Sequence, residues 1–426
     1  MYAIYTLLLI FGFLAALPYF LWKGRRTGKY LGTFRERMGA LPVYLNVDRE
    51  RSIWLHAVSV GEVLAARPLV EALRLRFPHL KLFVSTTTET GNEIARRSLH
   101  GIDGLFYAPL DFPSPVRKAL DTLRPHLLLL VETEIWPNLV HAAHMRGTRV
   151  AMVNGRISPR SFGRYLALRF FIRRVLGEVD LFLAQGEPHA ERLRALGAPT
   201  ERVRVSGNLK FDAAETPKPN ERLLRLFGAE ALGDRPLFIA GSTVEGEEEL
   251  VLAALHAVRQ SRPDVVLLLA PRHPQRFDGV AAAVEHAGFR PVRRSSLEPG
   301  QIRDGDVVLL DTMGELRSLY ALARLAFVGG SLVPLGGHNI IEPAAAGIPV
   351  LVGPHMENFR EIADQFRQAA ALVEVRDAAE LGREVASLLG DETRRRTLGA
   401  RAKAILDQNR GAVALTVDAL SGLLGR

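Results

Sequence analysis

A chain of 426 residues with 48% hydrophobic content exceeds the size at which one core keeps growing, so two domains are expected and a disordered protein is excluded. The absence of cysteine excludes disulfides, thiolate metal ligands and a cysteine nucleophile; it fits a reducing compartment without defining one. A net charge of +9 asks for an acidic partner, whether nucleic acid, an anionic membrane surface or a phosphorylated substrate.

Residues 2–22 are uncharged and apolar, about long enough to cross a bilayer, and are followed by Lys23, Arg25, Arg26, Lys29, Arg35 and Arg37. This predicts a membrane anchor over 1–22 whose globular remainder stays on the cytoplasmic side. No basic region precedes the run and no small-x-small site ends before the basic cluster, which argues against a cleaved signal peptide. Pro18 and the aromatic end Tyr19, Phe20 and Trp22 leave a shallow interfacial insertion open.

Apolar β-like runs then alternate with amphipathic helical stretches, as parallel sheets with crossover helices require. Strands are expected over 53–56, 80–85, 127–131, 148–153 and 181–184, and again over 237–240, 265–270, 307–310, 325–328 and 350–352. Between the two sets, 212–235 contains Thr216-Pro217-Lys218-Pro219-Asn220 and reads as a linker. The expected domains are 23–212 and 213–405, with a C-terminal helix over 406–426 packing back towards the first. Ligands of such folds lie beyond the carboxyl ends of the strands, in a cleft between domains.

The first crossover ends a strand at His56-Ala57 and starts a helix at Gly61-Glu62. A carboxylate at a helix start is favoured in its charged form and is placed to take a proton from a sugar hydroxyl; a first-turn acid kept for stability alone is the competing reading. Glu132 and Glu134 follow four leucines and a valine, a costly place for carboxylates unless they are bonded or used, and alternation points them the same way. Asn154, Arg156 and Ser158, at the mouth of the next strand, are candidates to hold them. Lys210, just past the last strand of the first half, is a candidate to stabilise negative charge, or a solvated linker lysine.

Pro159 to Arg174 carries five arginines interleaved with Phe162, Tyr165, Phe170 and Phe171 and no acid, which suits anionic headgroups or a phosphorylated lipid as well as ordinary packing. No nucleic-acid motif accompanies the charge.

In the second half, Ala240 to Thr243, Pro271-Arg272-His273 and Thr312-Met313-Gly314-Glu315 each end a strand. Arg272 suits a phosphate, and the Met313-Gly314-Glu315 turn can read a base or sugar through backbone groups. In GGHNIIEPAAAGIPVLVGP, from Gly336 to Pro354, a helix is expected near Asn339. Its start offers N–H groups to a phosphate, and Glu342 can accept from ribose hydroxyls. His273 and His338 lack the spacing of a metal site. This stretch resembles the donor signature of glycosyltransferases with two facing Rossmann-like domains, the GT-B fold, here an α/β architecture of two parallel sheets, an interdomain cleft and an N-terminal anchor helix.

Taken together, HAVSVGE, VETEIWPN, NGRIS, GNLKFD, APRHP, DTMGEL and GGHNIIEPAAAG resemble the 3-deoxy-D-manno-octulosonic acid (Kdo) transferases of bacterial lipopolysaccharide assembly, from the anchor to the final helix. The resemblance implies an inverting transfer of one or more Kdo residues from CMP-Kdo to lipid IVA, the tetraacyl, bis-phosphorylated lipid A precursor, at the cytoplasmic face of the inner membrane. It implies Glu62 as proton acceptor, and Glu132 and Lys210 as stabilisers of the transition state. CMP would be held by Pro271, Arg272, Met313, Gly314, Glu315, Asn339, Ile340, Ile341 and Glu342. No metal, cofactor, nucleic acid or obligate protein partner is implied. The residues alone stop at a membrane-anchored, nucleotide-dependent sugar transferase acting on an anionic lipid, which leaves open a UDP-sugar enzyme like lipid A disaccharide synthase, or an inactive nucleotide-binding scaffold.

Overall fold

The computed structural model describes residues 1–27, 32–213 and 217–424; Lys29 of the expected basic cluster and Thr216 of the expected linker lie outside the described residues. The chain divides into two units, one formed by 1–213 with 409–426 and the other by 214–408.

The first unit is built on seven parallel strands in the order β3-β2-β1-β4-β5-β6-β7. These are β1 (Ser52–His56), β2 (Lys81–Thr86), β3 (Gly104–Tyr107), β4 (Pro125–Val131), β5 (Arg149–Gly155), β6 (Leu181–Ala184) and β7 (Val203–Val205). Because side chains alternate across a strand, one run of residues feeds two cores. Trp54, Phe83, Leu128, Leu130 and Met152 enter one hydrophobic layer. Their neighbours Ile53, Leu55, Val84, Leu129 and Val153 enter the other. Central strands covered on both faces read as unbroken apolar runs, which is why β1, β4 and β5 stand out in the sequence.

The second unit repeats the plan with β8 (Leu237–Thr243), β9 (Val266–Pro271), β10 (Arg290–Arg293), β11 (Asp306–Leu309), β12 (Leu325–Val328), β13 (Val350–Val352) and β14 (Val373–Glu374). Their order is β10-β11-β9-β8-β12-β13-β14, again all parallel. In each sheet the chain begins in the middle, builds outward on one side, then crosses to the other. The loops on either side of that reversal, after β1 and β4 and after β8 and β12, are where folds of this kind place their ligands, beyond the carboxyl ends of the strands.

Ten expected strands are present, and four further strands, β3, β7, β10 and β14, are the outer edges of the two sheets. Edge strands are short and half solvated, so their sequences carry charge or proline in place of an apolar run. β10 reads Arg-Pro-Val-Arg, and two of the three residues of β7 are exposed.

The last helix, Ala412–Leu424, returns to the first unit, where Ala412, Val417 and Leu420 pack among Val63, Leu69 and Leu73 of the helix Val60–Arg76. The Asp212 carboxylate fixes its start by accepting from the N–H groups of Gly411 at 2.7 Å and Val413 at 2.6 Å. Leu420 is fully buried there. Leu420→Ala is expected to lower the stability of the first unit by about 2–5 kcal/mol, read as a shift of its denaturant midpoint; an unmoved midpoint would make this return helix dispensable.

Candidate active site

The turn after β1 is closed by Ser59 and Glu62. Ser59 caps the helix Val60–Arg76 by accepting from the Glu62 N–H at 3.5 Å, while the Glu62 carboxylate accepts from the Ser59 hydroxyl at 2.8 Å and the Val58 N–H at 2.7 Å. This reciprocal arrangement is a capping box shifted by one residue, so the carboxylate stabilises the helix start. Glu62 is not, however, held in its charged form as the helix position alone suggests. Burial pushes its pKa up to about 7 against those two hydrogen bonds, with the nearby Glu134 and Glu132 adding to the rise. Water lost from around the carboxylate outweighs the donors it gains. The group is thereby poised to take up a proton near neutral pH.

Glu132 follows β4 with φ of 59°, a left-handed conformation that ends the strand's alternation. Glu132 and Glu134 consequently have different partners. Glu132 forms an ion pair with Lys210 at 3.4 Å. Glu134 accepts from the Trp136 indole N–H at 2.8 Å, and burial followed by the charge of Glu132 raises its pKa. The fold thus joins Glu132 and Lys210, which are 78 positions apart, and sets Glu134 within electrostatic reach of Glu62.

Asn154, near the end of β5, and Ser158, just beyond it, make other contacts than expected. Asn154 accepts from the Leu209 N–H at 3.0 Å and so fixes the start of the short helix Leu209–Asp212 that carries Lys210. Ser158 caps the helix Pro159–Ala167, and the Arg156 carbonyl accepts from the Thr133 hydroxyl. Of the six non-glycine residues with positive φ among the described residues, Glu132, Asn154 and Ser242 sit at the carboxyl ends of β4, β5 and β8. Such strain concentrates where a site fixes side-chain aim.

Behind Trp136 stands His56, the last residue of β1. Ser85 accepts from the Trp54 indole at 2.7 Å and meets His56 Nδ1 at 2.9 Å, so its hydroxyl proton is assigned to that nitrogen. Burial depresses His56 to about 3 and keeps it neutral, with its ring edge-to-face against Trp136 at 4.7 Å. The sequence signal for it, a histidine closing an otherwise apolar strand, was present but not distinctive.

In the second unit, the loop after β12 is organised by Glu247, a fully buried carboxylate that sequence reasoning missed. It accepts from the N–H groups of Gly330 at 2.6 Å, Leu332 at 2.8 Å, Ser331 at 2.9 Å and Val244 at 3.3 Å. Its signal was a glutamate in the first turn of the helix after the first strand of the unit, the turn in which Glu62 stands in the other. Arg272, after β9, is held by its N–H to the Thr243 carbonyl at 2.9 Å.

The helix expected near Asn339 begins at Ile341 and runs to Ala345, and the Asn339 side chain accepts from the Ile341 N–H at its start at 3.0 Å. The same side chain donates to Glu342 at 3.1 Å, placing that carboxylate at the second residue of the helix. Burial raises the pKa of Glu342, while Asn339, Arg317 and Arg272 oppose the rise. Asn339, Glu342 and Arg272 are therefore brought together. Pro271, Ile340 and Ile341 are buried in the unit, so they have only backbone to offer a ligand. In the turn after β11, Met313 is exposed, Gly314 has φ of 84°, and Glu315 is tied to Arg294 at 2.8 Å and to the Thr312 hydroxyl.

His338 lies over Gly330, where burial and the charges of Arg272 and His273 lower its pKa to about 4. Among the described residues no three His, Asp or Glu side chains are grouped to hold a metal ion.

Two parallel sheets with these strand orders, each carrying polar side chains at its reversal point, define the GT-B fold, and the family matches give its class as glycosyltransferase. Residues 32–213 match the family described as 3-deoxy-D-manno-octulosonic-acid transferase (kdotransferase), and 247–405 match glycosyl transferases group 1. The chain is 37% identical to the 3-deoxy-D-manno-octulosonic acid transferase of Haemophilus influenzae, over 88% of each chain. It is 38% identical to that of Bordetella pertussis, over 95% of this chain and 96% of that one. A UDP-GlcNAc 2-epimerase from Neisseria meningitidis shares the fold, with a TM-score of 0.57 at 12% identity over 87% of this chain and 99% of that one. The chain belongs to the Kdo transferase family and is an enzyme of the glycosyltransferase class.

Removing the Glu247 carboxylate leaves buried N–H groups without acceptors, at about 1–3 kcal/mol for each one that finds none. Glu247→Ala is expected to destabilise the second unit by more than about 2 kcal/mol, with Glu247→Gln recovering part because it keeps an acceptor. Thermal melts of the full chain measure both, and equal melting of wild type and Glu247→Ala would contradict the clamp.

Proposed function

We propose that the chain transfers one or more Kdo residues from CMP-Kdo to lipid IVA with inversion at the anomeric carbon, at the cytoplasmic face of the inner membrane to which its N-terminal helix attaches it. The observation that carries the reading is Glu62: a buried carboxylate at the reversal point of the first sheet, with its pKa at about 7 and beside the Glu132–Lys210 pair. In the ionised form it takes the proton of a primary hydroxyl of the acceptor sugar. The hydroxyl oxygen bonds to the anomeric carbon as the bond from that carbon to the phosphate oxygen breaks, and CMP departs with the electron pair.

Lys210, oriented by Glu132, offsets charge as it develops. Arg272, Glu342 with Asn339, and the backbone of Met313 to Glu315 hold the cytidylate. The donor has one phosphate, and the guanidinium of Arg272 and the ammonium of Lys210 supply the charge its departure needs, so the proposed reaction uses no resident metal or cofactor. Burial raises the pKa of Tyr165, in the basic, aromatic segment after β5, and the charge of Glu134 adds to the rise, so this segment approaches the carboxylates. That supports the segment as the route of an anionic lipid acceptor.

Glu62→Gln is expected to keep CMP binding and lower transfer about 10²- to 10⁴-fold, followed by mass spectrometry of the lipid product, which also counts the sugars added. Unchanged transfer would remove Glu62 from the chemistry, and protection of the protein by UDP in place of CMP would overturn the donor.

A base must be deprotonated to act, so kcat/KM should fall as pH drops through about 7. Glu134→Gln removes a charge that raises the pKa of Glu62 and should move this limb to lower pH. A limb that stays in place would show that the two carboxylates do not communicate.

A further inference from the structure

The N-terminal helix Tyr2–Thr27 is long and apolar enough over Tyr2–Tyr19 to cross a membrane. Its side chains are arranged for something else. Tyr2, Tyr5, Leu9, Phe13 and Ala16 recur at helical spacing and are partly covered, whereas Ile4, Leu7, Leu8, Phe11 and Leu14 are exposed.

The covered stripe is held by directed contacts with the first unit. The Tyr2 hydroxyl donates to Glu178 at 2.7 Å, and its ring stacks on His141 at 4.0 Å. The Tyr5 hydroxyl donates to Asp111 at 2.9 Å, a buried carboxylate that also accepts from the N–H groups of Asn138 and Leu139. Thr6 meets the Asn138 side chain at 3.3 Å, and Phe13 stands edge-on to Phe112 at 5.6 Å. These contacts tie the helix down from residue 2 to residue 13. What remains of the uncharged run is 14–22, about 14 Å of helix, less than half of the ~30 Å hydrocarbon core. A crossing helix would have to pull Tyr2 and Tyr5 away from Glu178 and Asp111 and carry them through the bilayer.

The helix Arg169–Gly177 continues the same surface. Phe171 lies 5.9 Å from the Tyr2 ring and 5.6 Å from that of Tyr5, and the Arg174 guanidinium is 5.9 Å from the Tyr2 ring. Phe170, 84% exposed, and Leu168 are apolar side chains facing solvent beside arginines, in a stretch of five arginines without an acid. Apolar side chains at the acyl boundary with guanidinium groups at headgroup level is how a protein rests on an anionic leaflet.

We propose that the N-terminal helix lies along the membrane plane, latched lengthwise to the first unit by Tyr2–Glu178 and Tyr5–Asp111, and that with the arginine-rich helix it forms one face resting on an anionic lipid leaflet, Met1 staying on the same side as the first unit. The proposal rests on the lipid acceptor read above for its setting, and its topology is tested without activity.

Because the chain has no cysteine, introduced pairs report cleanly. Thr6→Cys with Asn138→Cys, and separately Tyr2→Cys with His141→Cys, are made in the full chain in native membranes and treated with a short bismaleimide. The expected result is an intramolecular cross-link in at least one pair, found as a joined peptide by mass spectrometry and absent from each single variant. No cross-link in either pair, with all four thiols alkylated after solubilisation, overturns the latch.

In a second arm, wild type should float with vesicles of phosphatidylglycerol and phosphatidylethanolamine at least tenfold better than with phosphatidylcholine. The combined variant Ile4→Glu, Leu8→Glu and Phe11→Glu should lose that flotation while keeping transfer to a detergent-dispersed acceptor. Equal flotation on both lipids, or a self-association of wild type without lipid that the triple variant abolishes, overturns the leaflet as occupant. Absence of transfer by wild type in detergent counts against the proposed reaction and leaves the cross-linking result standing.

Discussion

A carboxylate taken out of water at the end of a parallel strand is unfavourable unless donors surround it, and both units of this enzyme are built around one such group. In each, it sits at the start of the helix that follows the first strand, Glu62 after β1 and Glu247 after β8. The two are solvated by the protein to different extents. Glu247 accepts from four backbone N–H groups, three of which fasten the loop after β12 in place. Glu62 has a single backbone donor and one hydroxyl, and two other acids nearby. A first-turn glutamate thereby becomes a fastener in one unit and, with fewer donors aimed at it, a carboxylate whose pKa burial pushes up to about 7 in the other.

The surroundings of Glu62 follow the same logic outward. Glu134 can raise the proton affinity of Glu62 only if it stays where it is, and the Trp136 indole holds it. Trp136 in turn rests on His56, whose ring orientation is set by Ser85, and Ser85 is engaged by Trp54. A neutral imidazole suits that place, because a charged one would attract the acids and pull the pKa of Glu62 down. On the other side of Glu132, Asn154 fixes the turn that carries Lys210, so the ion pair is organised from both partners.

What the sequence revealed and what it hid divide along physical lines. Strands covered on both faces have no choice but to be apolar, so the ten interior strands were legible, whereas the edge strands β3, β7, β10 and β14 satisfy only one neighbour and tolerate arginine, proline or glycine. The acids at strand ends were legible as costly placements, but their partners were not. Glu132 and Glu134 read as a matched pair until the left-handed turn at Glu132 separates them, and no local pattern announces that conformation in a glutamate. Asn154 read as a ligand of carboxylates and is instead a brace for residues 55 positions away. The N-terminal run read as an anchor from composition; that one of its faces is fastened by tyrosine hydroxyls depends on Asp111 and Glu178, more than 100 positions downstream.

The return of the last helix to the first unit gives the polypeptide an order that composition does not disclose. Residues 214–408 are an insert within the unit that carries Glu62, bounded by Asp212 on one side and by the backbone amides of Gly411 and Val413, which it binds, on the other. Residues 214–408 can therefore be replaced without touching the first unit only as an internal cassette with both junctions kept. A graft that replaces everything after residue 213 removes part of the host unit's own core as well.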